Sequence, residues 1–137
     1  MQKKKCNYDE NDTRTCKKCG NTYPIQNFPR AGINNGIEYK RYACKKCYHT
    51  RKQDRRKVQR KWLNEYKNNL SCQKCGYSKK THPNFAVSAL QFHHAKDDKE
   101  FMISNGVSRG MSTEKLLNEI KKCIVLCCRC HAEIHKH

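Results

Sequence analysis

The most informative stretch of the chain reads Cys127-Cys128-Arg129-Cys130-His131-Ala132-Glu133-Ile134-His135. Cys127 and Cys130 have the Cys-x-x-Cys spacing that is typical of zinc knuckles. If residues 131–135 are helical, His131 and His135 lie on one face and can share a metal ion. Three interpretations follow from this stretch alone: a metal site shared by the two histidines, additional or alternate ligands of a zinc finger, or solvated histidines near a terminus.

Three further Cys-x-x-Cys pairs precede this stretch, so the pairs can close two tetrahedral four-cysteine sites. The predicted structural zinc ligands are Cys16, Cys19, Cys44 and Cys47 in the first site, and Cys72, Cys75, Cys127 and Cys130 in the second. The total of 11 cysteines is odd, which favours metal binding, with disulfides as the alternative. Cys6, Cys123 and Cys128 remain outside both predicted sites.

The composition limits the class of protein. The 137 residues include 30 Lys and Arg against 12 Asp and Glu, a formal net charge of +18, with only 36% hydrophobic residues. With so few apolar residues, such a chain needs bound metal ions to stabilise its fold. Its positive charge predicts an anionic partner, and nucleic acid is favoured over an acidic membrane surface. Neither a membrane span nor a secretory leader is recognisable, so we expect an intracellular protein with reduced thiols.

A basic helix is predicted over residues 50–70, which contain no Gly or Pro. Val58, Trp62, Tyr66 and Leu70 recur every four residues and predict a thin apolar seam. We expect the other faces to contact DNA phosphates, the alternative being a solvated linker. The predicted phosphate contacts are Arg51, Lys52, Arg55, Arg56, Lys57, Arg60 and Lys61.

Phe92-His93-His94 is a second chemical signal, at the end of a strand predicted over residues 87–94. Adjacent strand residues point to opposite faces, so the two histidines are expected to have different roles. One can join His131 and His135 on a metal, and the other can act on a water molecule. Two half-exposed histidines on an edge strand are the alternative for the pair alone.

Local signals predict the remaining organisation. Residues 1–15 are polar and predicted to fray, and Pro24 and Pro29 predict an irregular segment. Asn105-Gly106 predicts a loop, and Ser112 or Thr113 is expected to cap a helix that ends at Lys122. Asn34-Asn35-Gly36 predicts a hairpin turn that leads into a strand.

Residues 72–137 resemble the HNH endonucleases, whose active site is a ββα-metal unit. The resemblance rests on the Cys72/Cys75 knuckle, the strand that ends in His93-His94, and Cys130-His131 with His135. It implies that His94 is the general base and that His93, His131 and His135 hold a catalytic divalent metal, which is Zn²⁺, Ni²⁺, Mn²⁺ or Mg²⁺. Lys122 stands where the family usually has an Asn that braces the loop bearing the base.

The residues around Cys16-Lys17-Lys18-Cys19-Gly20 are similar to a zinc module of phage endonucleases, including junction-resolving ones. The whole layout resembles small dimeric HNH restriction enzymes. The expected fold is a small, zinc-stapled α+β protein. Its expected parts are a flexible N-terminus (1–15), a four-cysteine zinc module (16–49), a basic connecting helix (50–70) and an HNH nuclease domain (71–137).

The resemblance implies hydrolysis of double-stranded DNA, by a nick or a double-strand cut that leaves 5′-phosphate and 3′-hydroxyl ends. Branched DNA and a homodimer are further expectations, as is a phage or mobile-element origin with action in the bacterial cytoplasm. A non-catalytic zinc-ribbon regulator is the first alternative. An RNA-binding or RNA-cleaving protein is the second, because Tyr39, Tyr42, Tyr48 and Trp62 interleave with basic residues.

Overall fold

The computed structural model describes residues 5–136 of a small mixed α/β protein. The chain divides into two compact units, Met1–Gln53 and Asp54–His137. The strands are β1 (Lys5–Cys6), β2 (Thr13–Thr15), β3 (Thr22–Pro24), β4 (Arg30–Asn34), β5 (Ile37–Lys40), β6 (Leu90–His94) and β7 (Cys123–Cys127). The α-helices are α1 (Lys45–Lys67), α2 (Ile103–Ser108), α3 (Thr113–Ile120) and α4 (Cys128–Ile134).

The first unit contains the predicted hairpin. β4 and β5 pair antiparallel, and Asn35 and Gly36 between them have φ values of 50° and 75°. Two consecutive positive φ values are characteristic of the tight turns that match strand twist. β1 adds to β5 in parallel, which completes a three-stranded sheet.

The N-terminal segment is more ordered than the sequence predicted. Residues 1–4 of the expected flexible region lie outside the described residues, but 5–15 contribute both β1 and β2. The Tyr8 hydroxyl donates to Glu38 Oε1 at 2.9 Å, and Ile25 N donates to the Asp12 carbonyl at 2.8 Å. These contacts with distant residues, which local composition does not reveal, hold the segment in place.

The segment predicted to be irregular also contains a strand, since β3 pairs antiparallel with β2. Pro24 lies at the end of β3 in a two-stranded sheet, a position where the missing N–H is tolerated. A short 3₁₀ turn over Ile25–Asn27 follows. The buried core of this unit consists of Ile25 and Phe28 with Cys16 and Cys44.

Helix α1 runs from Lys45 to Lys67 rather than over residues 50–70. The predicted apolar seam is also wrong in part, because Val58 is 65% exposed whereas Leu63 is buried. Residues spaced by exactly four drift around a helix by about 40° per step, so such a seam leaves the core face. No helix among the described residues is long and apolar enough to cross a membrane.

In the second unit, β6 and β7 pair antiparallel, with His93 opposite Ile124 and His94 opposite Cys123. A 3₁₀ turn over Val87–Ala89 replaces the first part of the predicted strand. Helix α4 follows β7 directly, so the C-terminal histidines lie next to β6. One buried cluster consists of Leu90, Leu126, Cys72, Cys127 and Cys130, and the other of Leu63, Ile103, Val107, Leu116 and Ile120.

Asn105-Gly106 is helical and not a loop, because both residues belong to α2. A Cβ atom on Gly106 would lie 2.7 Å from both Leu116 Cδ2 and Phe101 Cε2. This glycine therefore serves close packing between α2 and its neighbours. The predicted cap of α3 is confirmed, since the Ser112 side chain accepts a hydrogen bond from Lys115 N.

Candidate functional site

Each set of four paired cysteines forms one compact cluster. In both clusters the Sγ atoms lie within 4.8 Å of one another. Cys75 Sγ and Cys127 Sγ are 3.7 Å apart, close to the ~3.8 Å that follows from tetrahedral geometry with Zn–S bonds of ~2.3 Å. The two clusters are positioned to hold zinc, with the ligand sets that the spacing predicts.

Both clusters use the same local knuckle. Gly20 and Gly76, which follow the first pair of each cluster, have φ values of 76° and 78°. Gly20 N donates to the Cys16 carbonyl at 2.9 Å, and Gly76 N donates to the Cys72 carbonyl at 2.8 Å. The left-handed glycine reverses the chain, so both cysteines of the pair face the same point.

The protein backbone favours the ligating form of Cys16. The N–H of Cys44 donates to Cys16 Sγ at 3.2 Å. This hydrogen bond, followed by that of the Cys19 backbone, lowers the pKa of the Cys16 thiol to about 6. A thiolate binds zinc, so this cysteine is prepared as a ligand near neutral pH.

The structure brings together His93 of β6, His131 of α4 and His135, which directly follows α4. One ring nitrogen of each lies within 4.8 Å of the others. His131 Nε2 is 3.1 Å from His93 Nδ1 and 3.2 Å from His135 Nε2. Tetrahedral ligation with Zn–N bonds of ~2.0–2.1 Å separates ligand nitrogens by ~3.3 Å, so the cluster fits a metal of this size.

Gln91 fixes the tautomer of His131. Gln91 Oε1 lies within hydrogen-bond distance of His131 Nδ1, and a carbonyl oxygen can only accept, so Nδ1 carries the proton. Nε2 is then left with a lone pair that points into the cluster. Burial, followed by the charges of His93 and His135, lowers the pKa of His131, which keeps the imidazole neutral.

His94 contacts a different partner from its neighbour His93. His94 Nε2 lies 2.7 Å from Oε1 of Glu119, which is a residue of α3. Adjacent residues of β6 point to opposite faces, and the two histidines accordingly have different hydrogen-bond partners. Both still line one cleft of about 680 Å³, together with His131 and His135.

Glu119 is a buried site residue that sequence reasoning missed, as it missed Gln91 and Lys67. Its side chain is 2% exposed. Burial alone would raise the pKa of Glu119, but hydrogen bonds from Lys122, the Glu100 backbone N–H and His94 lower it to about 2. The three carboxylates that follow His94 more closely in the sequence, Asp97, Asp98 and Glu100, are exposed. Glu119 comes three residues after Leu116 and one before Ile120, so the helical repeat places it on the buried face of α3. This spacing could have identified Glu119 from the sequence.

Lys67 is a half-buried cation at the cleft. Its Nζ lies 5.4 Å from the centre of the Phe92 ring, and burial lowers the pKa of the ammonium. No ion pair within residues 5–136 involves Lys67. Lys96 and Lys99 line the same cleft. An unpaired cation that has lost part of its hydration favours an anionic ligand.

The basic residues predicted on the connecting helix lie on α1. Arg51, Arg55, Lys57, Arg60 and Lys61 are exposed, whereas Lys52 and Arg56 are partly buried. The only carboxylate recorded in an ion pair with any of these seven described residues is Glu65, 4.0 Å from Lys61. Most of this charge is therefore available to an anionic partner.

No protein-family model, curated protein or solved structure matches the chain. The function is therefore inferred from three features of its own residues. These are the three-histidine cluster, the contact between His94 and Glu119, and the unpaired Lys67 in the same cleft.

Proposed function

We propose that the chain is a metal-dependent DNA endonuclease of HNH type, which hydrolyses phosphodiester bonds to 5′-phosphate and 3′-hydroxyl ends. One observation carries the proposal. A three-histidine cluster and a fourth, separately held histidine line a single cleft. A non-catalytic zinc-ribbon protein would need the two four-cysteine clusters, but it would not need the histidines of this cleft.

The donor set of the cluster indicates the metal. Three neutral imidazoles favour borderline ions such as Zn²⁺ or Ni²⁺ over Mn²⁺ and Mg²⁺, for which oxygen ligands are more suitable. His93, His131 and His135 would hold the ion. When bound, such an ion acts as a Lewis acid and stabilises the charge that develops on the phosphodiester.

His94 would act as the general base. Its Nε2 is engaged by Glu119, so Nδ1 would take the proton from the attacking water. The water oxygen bonds to phosphorus while the bond from phosphorus to the 3′ oxygen breaks. The 3′ oxygen then takes a proton from solvent, which balances the hydrolysis.

The lysines would bind the substrate. Lys67, Lys96 and Lys99 line the cleft beside the histidines and would contact the phosphates on either side of the cut. The exposed basic face of α1 would contact the duplex further away. Phosphate contacts of this kind supply affinity with little sequence preference.

One cleft can cut one strand at a time. A double-strand cut would require a second copy of the chain or a second binding event. Nicked and linear products, followed over time at several protein concentrations, distinguish these routes.

The proposal is tested by nicking of supercoiled plasmid with Mn²⁺, Zn²⁺, Ni²⁺ or Mg²⁺ added in turn. We expect metal-dependent nicking that is lost in His93→Ala. His82→Ala is the matched control, because His82 is exposed and contacts Thr81 instead of the cluster. Tight, salt-sensitive DNA binding without cleavage under any condition would favour the zinc-ribbon binder, and cleavage restricted to RNA would favour the RNA alternative.

A further inference from the structure

The contacts around Glu119 form a closed network. Glu119 Oε1 accepts hydrogen bonds from His94 Nε2 at 2.7 Å and from Glu100 N at 2.9 Å. Glu119 Oε2 accepts from Lys122 Nζ at 3.0 Å. Both oxygens of this buried carboxylate are therefore satisfied, and one donor is the imidazole at the cleft.

Lys122 ties the same network to the segment after β6. Its ammonium donates to the Asp98 carbonyl at 3.2 Å, to Glu100 Oε1 at 2.7 Å and to Glu119 Oε2. An ammonium has three N–H donors, and all three have partners here. The segment that follows His94 is thus held to the end of α3 by a charged side chain.

Glu119 also determines which nitrogen of His94 is available. A carboxylate only accepts hydrogen bonds, so the atom 2.7 Å away, His94 Nε2, carries a proton. Nδ1 is the remaining nitrogen and keeps its lone pair in the neutral ring.

We propose that Glu119 and Lys122 are positioning residues for His94. Glu119 holds the imidazole as the Nε2–H tautomer with Nδ1 as the accepting atom. Lys122 fixes Glu119 and the segment through Glu100. This inference rests on the proposed nuclease function for its catalytic consequence, but the tautomer of His94 is independent of cleavage.

The test combines two measurements on the zinc-loaded full-length protein. The first is ¹⁵N NMR of the histidine rings, with the His94 signals assigned by comparison with His94→Ala. The second is the rate of plasmid nicking. The variants are Glu119→Gln, which preserves the side-chain volume, Glu119→Ala and Lys122→Met. Glu114→Gln and Lys121→Met are matched controls, because both residues are exposed on or beside α3.

We expect the Nε2–H tautomer of His94 in the wild type and in both controls. Glu119→Gln replaces one accepting oxygen with an NH₂ group, so His94 should populate both tautomers and nicking should slow on the order of 10–100-fold. Lys122→Met should slow nicking by a smaller factor.

Two results would overturn the inference: a folded Glu119→Gln protein that keeps both the tautomer and the nicking rate, or the Nδ1–H tautomer in the wild type. A wild type that has the Nε2–H tautomer but cleaves no DNA is a different failure. It would contradict the proposed function, and with it the role of His94 as a base.

Discussion

Gln91 accepts a hydrogen bond from Nδ1 of His131, on the side of the ring that faces away from the three-histidine cluster. Both contacts of the ring are therefore assigned: one nitrogen to Gln91 and the other to His93 and His135. The amide decides which lone pair of His131 can bind a metal.

The first prediction concerns this amide. Gln91→Leu should weaken metal binding at the cluster about 10–100-fold, because outer contacts of this kind fix the tautomer and ring orientation of a ligating histidine. Titration calorimetry with Ni²⁺, on protein whose cysteine clusters are loaded with zinc, measures the affinity. Gln91→Glu retains an acceptor and should bind at least as tightly as the wild type. Equal affinity for the Leu variant would contradict the assignment.

The second prediction concerns Lys67. Lys67→Met should raise KM for DNA about 10-fold and make log KM less steep in log salt by about one unit, since one phosphate contact is lost. Lys67→Arg should recover part of the affinity. Lys79→Met is the control, because Lys79 is exposed and absent from the lining of the cleft. Identical salt dependence in the wild type and Lys67→Met would show that this lysine has no phosphate partner.

The third prediction concerns zinc content. Cys130→Ser should lose one of two tightly bound zinc ions and destabilise the second unit, because Cys130 belongs to its cluster and is buried. Cys128→Ser should keep both ions, since Cys128 is exposed and lies outside the cluster. Native mass spectrometry counts the ions in each variant. Loss of zinc from Cys128→Ser would show that the ligand set is wrong.

The fourth prediction concerns the stability of the fold at acid pH. The pKa of Glu119 falls from 4.5 to about 2 in the folded protein, so its contribution to stability is complete above pH 4.5 and disappears as the pH falls towards 2. The shift corresponds to about 3 kcal/mol. The difference in unfolding free energy between the wild type and Glu119→Gln should shrink over this range.

Urea unfolding of both proteins at several pH values measures that difference. The comparison is made at pH values at which native mass spectrometry shows that both proteins keep their two zinc ions. A difference that stays constant from pH 5 down to the lowest of these pH values would contradict the hydrogen-bonded, ionised state of Glu119.

Local chemistry explains what the sequence could predict. Cys-x-x-Cys pairs followed by Gly20 and Gly76 form their knuckles through local backbone hydrogen bonds and a left-handed glycine. His131 and His135 are neighbours through the helical repeat alone. Strand alternation separated His93 from His94, although it could not identify their partners.

The errors arose where distant contacts decide the structure. The buried position on α1 is Leu63, which packs with residues of α2 and α3 that are remote in sequence. Gly106 lies within α2, and Phe101 and Leu116 leave no room for a Cβ at this position. Glu119 became visible as a site residue only after folding placed it against His94, 25 positions earlier in the chain.

The central claim is that the cleft hydrolyses DNA with His94 as the base. Its most direct test is nicking of supercoiled plasmid by the wild type and by His94→Ala. Both proteins have zinc in their four-cysteine clusters, and both receive the same catalytic metal at the same concentration. We predict nicking by the wild type and a loss of at least about 100-fold in a His94→Ala protein that still binds metal and DNA. Equal nicking by both proteins would contradict the account.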